Sequence, residues 1–152
     1  MQARSGNLYR LGASVAFDPT GPGVKLLGQG WSSPDPEGFV WSDGPEADLF
    51  FSIATPARDT VCHLELMPFL ARGAVERQTV EIYFNHFRVG YAELPAGRHT
   101  VSVYLARELF MLRTAVLTLH LAGARSPAEL GISADERRLG VALWSFQIAP
   151  VQ

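Results

Sequence analysis

Thr79-Val80-Glu81-Ile82-Tyr83-Phe84 decides the fold. Val80, Ile82 and Phe84 fall on one side, Glu81 and Tyr83 on the other. That period of two is the signature of a strand with one face buried. Working outward, the same alternation recurs. Ala47 to Ile53 sets Leu49, Phe51 and Ile53 on one face. Thr100 to Leu105 follows the scheme, and Leu117, Leu119 and Leu121 alternate with Thr118 and His120. Val61–Leu70 and Leu139–Ile148 are longer apolar runs, expected to be strands buried on both faces or nearly so. Shorter strands are expected at Ala13–Phe17, Val24–Gln29, Phe39–Ser42 and Phe87–Leu94.

Between these runs stand turn signals: Asp18-Pro19-Thr20-Gly21-Pro22-Gly23, Ser33-Pro34-Asp35-Pro36, Asp43-Gly44-Pro45 and Pro95-Ala96-Gly97. Many strands punctuated this way, with little helix between them, describe an all-β chain folded as an antiparallel β-sandwich. Helical turns are expected at Arg107–Leu112 and in the connection before the last strand. There Ser126-Pro127-Ala128-Glu129 reads as a capping box with Pro at the first helical position, and Gly131 as a stop. Ser133-Ala134-Asp135-Glu136 repeats the box, closed by Gly140. No internal repeat or linker divides the chain, so residues 1–152 read as one domain with a loose first few residues.

Composition removes several function classes. The chain of 152 residues carries 13 Lys+Arg against 15 Asp+Glu, a formal charge of −2. A nucleic-acid binder needs a basic surface to neutralise phosphates, so that partner is not expected. No apolar run approaches the ~20 residues of a membrane helix, so no membrane insertion is expected. With one cysteine, Cys62, an internal disulfide and a Cys-rich zinc site are excluded. Residues Met1–Tyr9 lack the basic-then-apolar pattern of a signal peptide, which places the expectation in the cytoplasm.

The stretch from Gly30 to Gly44 is the most distinctive chemically. Trp31 and Trp41 flank a Pro- and Gly-rich loop holding Asp35, Glu37 and Asp43, and no basic residue lies between Leu26 and Pro56. Flat indole faces stack on the C–H faces of sugar rings, and carboxylates accept from sugar hydroxyls. The alternative is that the tryptophans are core and the acids merely solvated. A second stretch, Ser126 to Gly140, brings Asp135 and Arg138 three residues apart. Arg137 or Arg138 can pair with Asp35 or Glu37 across the end of the sandwich, either lining a shallow cleft or pinning two loops together.

Other chemistry is sparse. His63, His86, His99 and His120 are dispersed without metal-ligand spacing. No nucleophile elbow or phosphate loop occurs. Cys62, in an apolar strand, reads as an inert thiol. Glu65 and Glu81 are placed as a conceivable acid pair across a sheet. No cofactor is expected, and loop oxygens leave a structural calcium ion open.

Three sets of residues carry a resemblance. They are Gly30-Trp31-Ser32 with Pro36-Glu37-Gly38, Trp41-Ser42-Asp43-Gly44 and Ala47-Asp48-Leu49; Val80 to Asn85 with Val89-Gly90; and Ser126 to Gly131 with Asp135 and Arg138-Leu139-Gly140. Over about Gly28 to Ile148 the chain resembles a bacterial β-sandwich domain that accompanies glycosyltransferases and surface-polysaccharide proteins. Members of that family usually carry Asn-Gly where this chain has Asn85-His86, so the turn here is expected to be longer or strained. The resemblance implies a jelly-roll fold like that of carbohydrate-binding modules. Trp31, Glu37, Trp41, Asp43, Asp135 and Arg138 are its characteristic positions.

The expectation is a noncatalytic module that binds a glycan of the bacterial cell surface through the Trp/acid loop. It sits beside a cytoplasmic glycosyltransferase or on a phage-like particle released by lysis. The alternative is a structural or assembly module, such as a spike or fibre component, binding a protein partner or forming a homo-oligomer. Phe50, Tyr83, Tyr104 and Phe146 would supply its exposed face. A small sugar-acting lyase or esterase ranks last.

Overall fold

Alternation in the sequence becomes nine strands in the computed structural model, which describes residues 7–151. The looseness expected of the first few residues concerns positions outside that range. The strands are β1 (Ser14–Ala16), β2 (Val40–Trp41), β3 (Glu46–Ser52), β4 (Thr60–Pro68), β5 (Gln78–Phe84), β6 (Phe87–Leu94), β7 (His99–Leu105), β8 (Thr114–His120) and β9 (Val141–Pro150). One antiparallel sheet runs β1-β9-β4-β7, with β2 joined to β9 further along the same strand. The other runs β3-β8-β5-β6. From β2 onward the chain crosses between sheets at every connection except the β5–β6 hairpin. The order β2-β9-β4-β7 against β3-β8-β5-β6 is that of a jelly roll, with β1 added. The chain is the antiparallel β-sandwich its sequence describes.

The core lies between the inward faces. Leu49 and Phe51, Val80, Ile82 and Phe84, and Leu117 and Leu119 from one sheet meet Cys62, Leu64 and Leu66, Val103 and Leu105, and Leu143, Phe146 and Ile148 from the other. Phe51 and Phe146 meet at 5.4 Å between ring centroids, and Tyr9 packs near edge-on against both. The Tyr9 hydroxyl donates to Ala13 O and accepts the Ile148 N–H at 2.8 Å. Burial pushes that phenol up to about 12.

Four expectations change. Val24–Gln29 is not a strand: Pro22–Leu26 winds as a 3₁₀ turn, and only Leu27 bridges to Leu49. Pro22 presets the helical φ, and Gly23 is buried where any Cβ would strike Ala16 O and the Phe17 ring. The run Val61–Leu70 is not buried on both faces. Within β4, Cys62, Leu64, Leu66 and Pro68 point inward, whereas Val61, His63, Glu65 and Met67 are half-exposed. In β9 the double burial holds for Val141–Leu143 only. Finally, Ser126–Gly140 forms turns and no regular helix. Glu129 accepts the Ser126 N–H at 3.0 Å, which is half of a capping box. The Ser126 hydroxyl donates instead to Asp135 O at 3.1 Å, so the helix start goes uncapped. The turn at Arg107–Phe110 does form, as a 3₁₀ helix.

Two local irregularities shape the surface. The β4–β9 register slips between Glu65, opposite Ser145, and Leu66, opposite Leu143. Trp144 is the extra residue of this bulge, and both Trp144 and Ser145 turn outward. The β5–β6 turn keeps two residues, with Asn85 at φ 47° and His86 at φ 74°. Both are left-handed, which fits a type I′ turn and strains the histidine. Asn85 is held on both sides: its Nδ2 donates to Leu109 O, and its Oδ1 accepts the Val116 N–H, each at 2.9 Å.

Candidate functional site

Ser42 is the knot of the loop end. It is fully buried, and its Oγ accepts the Val141 N–H at 2.9 Å and the Gly140 N–H at 3.2 Å. On either side of it the loop is zipped to the C-terminal connection. The Asp43 carboxylate accepts the Arg138 N–H at 2.9 Å, and Gly44 N donates to Arg138 O at 2.8 Å. Trp31 bridges to Ser42, and Asp43 N donates to Gly30 O. The structure therefore brings Trp31, Trp41, Asp43 and Arg138 into one neighbourhood. Gly30 is required there: it stands at φ 89°, and a Cβ would lie 2.0 Å from Glu46 O.

The charges pair differently from the expectation. Asp135 takes Arg137, not Arg138, through Nη2 at 2.7 Å and Nε at 3.0 Å. The Arg137 guanidinium holds the Asp135 carboxyl below the usual carboxylate range, and Asp135 raises Arg137 in return. Asp43 and Asp35 add smaller attractions to Arg137. The two residues are only two apart in a tight turn, where Asp135 also accepts the Arg137 backbone N–H, so the side chains meet on one side. Arg138 contributes its backbone to the zipper and leaves its side chain exposed. Glu37 is exposed on the Asp35–Phe39 turn, its N–H donated to Asp35 Oδ1.

The tryptophans occupy distinct settings. Trp31 is half-buried, and its Nε1 donates to Asp48 O at 2.7 Å. Trp41 turns outward because Val40 before it enters the core. Its half-exposed ring meets Phe39 and Phe69 edge-on at 5.7 and 6.4 Å. Phe39 bridges on to Trp144 at 4.8 Å. Arg98 lies 3.7 Å over the Trp144 ring and pairs with Glu65 at 2.6 Å, and Glu65 accepts the Ser145 hydroxyl. The sequence reading missed Trp144 and Arg98 as partners of this row. Strict alternation would put Trp144 opposite in sense to its neighbours, and the bulge is not visible in residue types.

Several other expectations meet the structure here. Cys62 is buried, and desolvation pushes its thiol up. His63 shares a hydrogen bond of 2.7 Å with Ser102. Glu65 and Glu81 belong to β4 and β5, in different sheets, so they do not form a pair across one sheet. Phe50 and Tyr83 lie on the outer face of one sheet, Tyr104 on the other, and Phe146 is in the core, so these four make no common face. Among the described residues no group of three or more His, Cys, Asp or Glu side chains is arranged to hold a metal ion.

No family model and no curated protein matches the chain. Solved structures do. The CBM36-1 domain of a multidomain xylanase from the hindgut metagenome of Trinervitermes trinervoides aligns with a TM-score of 0.54 at 10% identity, over 92% of this chain and 98% of that one. CsCBM6-3 from Clostridium stercorarium, in complex with cellobiose, gives 0.51 at 9%, over 96% and 99%. A CBM36 module in complex with calcium and xylotriose gives 0.51 at 11%, over 90% and 98%. The chain also matches part of a GH115 4-O-methyl-alpha-glucuronidase, of which it covers 14%. At such identities the likeness shows the fold alone, a β-sandwich that this chain shares with these modules.

Proposed function

We propose that this protein is a noncatalytic carbohydrate-binding module for a bacterial surface polysaccharide, bound at the loop end of the sandwich. The observation that carries the reading is the outward, half-exposed Trp41 ring, set edge-on against Phe39 and Phe69 with the exposed carboxylates of Glu37 and Asp43 on the same loop. An indole set by two near-perpendicular phenyl rings and partly open to solvent offers a platform for a sugar ring, and neighbouring acceptors orient hydroxyls. Modules of the same fold carry cellobiose or xylotriose, which supports a glycan partner. Trp31, Asp135 and Arg138 brace or border the platform. The module serves a glycosyltransferase or another surface-polysaccharide protein, in the cytoplasm or on a phage-like particle. Calcium accompanies xylotriose in the CBM36 complex, which supports the structural calcium ion that the loop carboxylates and backbone carbonyls of this chain leave open.

The test is an array of bacterial capsule and O-antigen fragments, probed with calcium and with chelator. The expected result is binding that Trp41→Ala weakens at least tenfold while the circular dichroism and melting temperature stay near wild type. Absence of binding across the array, or binding untouched by Trp41→Ala and Trp31→Ala, overturns the reading.

A further inference from the structure

The outer face of the β3-β8-β5-β6 sheet carries a second feature that the loop end does not explain. Strand register arranges its side chains in rungs. Glu46 of β3 faces His120 of β8, which faces Glu81 of β5. Two residues along, Asp48 faces Thr118, which faces Tyr83. Two further along, Phe50 faces Val116. Because side chains of period two share a face, all three rungs point to the same surface. The result is graded: a charged rung, a rung of carboxylate, hydroxyl and phenol, and an apolar rung.

The surface is hollowed, not flat. A depression of about 350 Å³ is lined by Glu46, Asp48, Tyr83, His86, Thr118 and His120. A second, of about 400 Å³, continues past Phe50 to Gln29. The two share Asp48 and Val116, so together they form one groove across the sheet. Each falls within the roughly 300–1,000 Å³ of ligand sites. The walls are fixed. On one side Gly28 N donates to Asp48 O, Asp48 N to Gln29 O, and Gln29 N to Asp48 Oδ1. On the other stands His86, locked in its left-handed turn. Inside, the Tyr83 and His120 rings meet at 4.4 Å between centroids, tilted by 37°, and His120 Nε2 stands 3.9 Å from Glu46 Oε1. Glu81 is already paired with Arg88 at 3.1 Å, which leaves Glu46 and Asp48 as the groove's own acids.

We propose that this groove is a second saccharide site, separate from the loop end, and that it takes uncharged sugars. Phe50 and Val116 meet the C–H face of a ring, and Tyr83 with His120 supplies an aromatic wall. Glu46, Asp48 and Thr118 accept from hydroxyls. Carboxylates in the floor oppose an anionic sugar such as a uronate, because like charges in a partly desolvated groove repel. The inference deepens the glycan reading above and rests on it, but it locates binding on a different surface.

The experiment is an NMR titration of ¹⁵N-labelled full-length protein with cellotriose, mannotriose and maltotriose, and separately with trigalacturonate. The proposal expects amide shifts at Thr118, His120 and Gln29 with at least one neutral trisaccharide and none there with trigalacturonate. Tyr83→Ala should weaken those shifts at least tenfold while leaving any response at Trp41 unchanged. Glu46→Gln, which preserves shape, should bring trigalacturonate affinity within about threefold of the neutral sugar. Shifts confined to Trp31, Phe39 and Trp41 overturn the groove and leave the loop-end reading standing. Equal shifts with trigalacturonate overturn the selectivity. No shift in the groove with any of the sugars overturns the site, and the array then decides the loop-end reading by itself.

Discussion

Replacing Ser42 with alanine should cost this protein a large part of its stability, although the change deletes one oxygen. The Ser42 Oγ is the acceptor for two buried N–H groups, from Val141 at 2.9 Å and Gly140 at 3.2 Å. Both residues are buried, and alanine gives them nothing to bond. A buried donor left unpaired costs about 1–3 kcal/mol. The shorter bond belongs in the upper part of that range and the longer in the lower, so the sum is about 2–4 kcal/mol. For a domain of this size each kcal/mol moves the melting temperature by roughly 2–4 °C. Ser42→Ala should therefore melt about 5–15 °C below wild type. Urea titration should show a lower midpoint with an unchanged slope, because the defect lies in the native state. A variant that melts within about 1 °C of wild type would refute the reasoning. The hydroxyl would then not be what ties the loop to β9.

Further outcomes follow from other sites. His86→Gly relieves a left-handed residue worth about 1–2 kcal/mol and returns about 0.5–1 kcal/mol of chain entropy, so the variant should melt slightly higher, by about 2–4 °C. A lower melting temperature would show that the imidazole makes a compensating contact. Asp135 is held below the ordinary carboxylate range by Arg137, Glu129 chiefly by the Ser126 N–H and then Arg125, and Asp59 by the Tyr104 hydroxyl and then the Arg107 N–H. A lowered folded pKa gives stability that is present above the unfolded carboxylate value of about 4 and is lost as pH falls through the folded value. Melting temperature should hold near neutrality and fall below about pH 4, with a smaller fall in Asp135→Asn. A flat profile down to about pH 2 counts against these pairs.

The strands were legible because alternation is a local property. Leu49, Phe51 and Ile53, like Val80, Ile82 and Phe84, are buried where period two put them. The rest depends on contacts between distant residues. Val24–Gln29 has strand-like composition, yet Gly23 packs against Phe17 and Pro22 starts a 3₁₀ turn. The boxes at Ser126 and Ser133 have the residues of helix starts. But the Ser126 hydroxyl is claimed by Asp135 O, nine residues on, and the Ser133 hydroxyl accepts the Asp135 N–H. Around the loop end, the sequence singled out Trp31, Trp41, Asp43 and Arg138, which the fold does gather. It could not show that Arg138 acts through its backbone, or that one extra residue in β9 turns Trp144 outward under Arg98. The sheet-face groove was equally hidden, because Asp48, Thr118 and Tyr83 become neighbours only through pairing of strands far apart in the chain.

The pairing of β1 with β9 sets how such a unit can be built into other proteins. Ser14 lies opposite Gln147, Gly12 N donates to Ile148 O, and the Tyr9 hydroxyl accepts the Ile148 N–H. Polypeptide thus enters and leaves the sandwich at neighbouring points. A fold whose entry and exit adjoin can be spliced into a surface loop of a host with little distortion of either partner, or have its ends rejoined and reopened elsewhere by circular permutation. The exposed Asp43–Pro45 turn at the loop end would disrupt the zipper if opened, so the better place to cut is Pro95-Ala96-Gly97, whose three residues are exposed between β6 and β7.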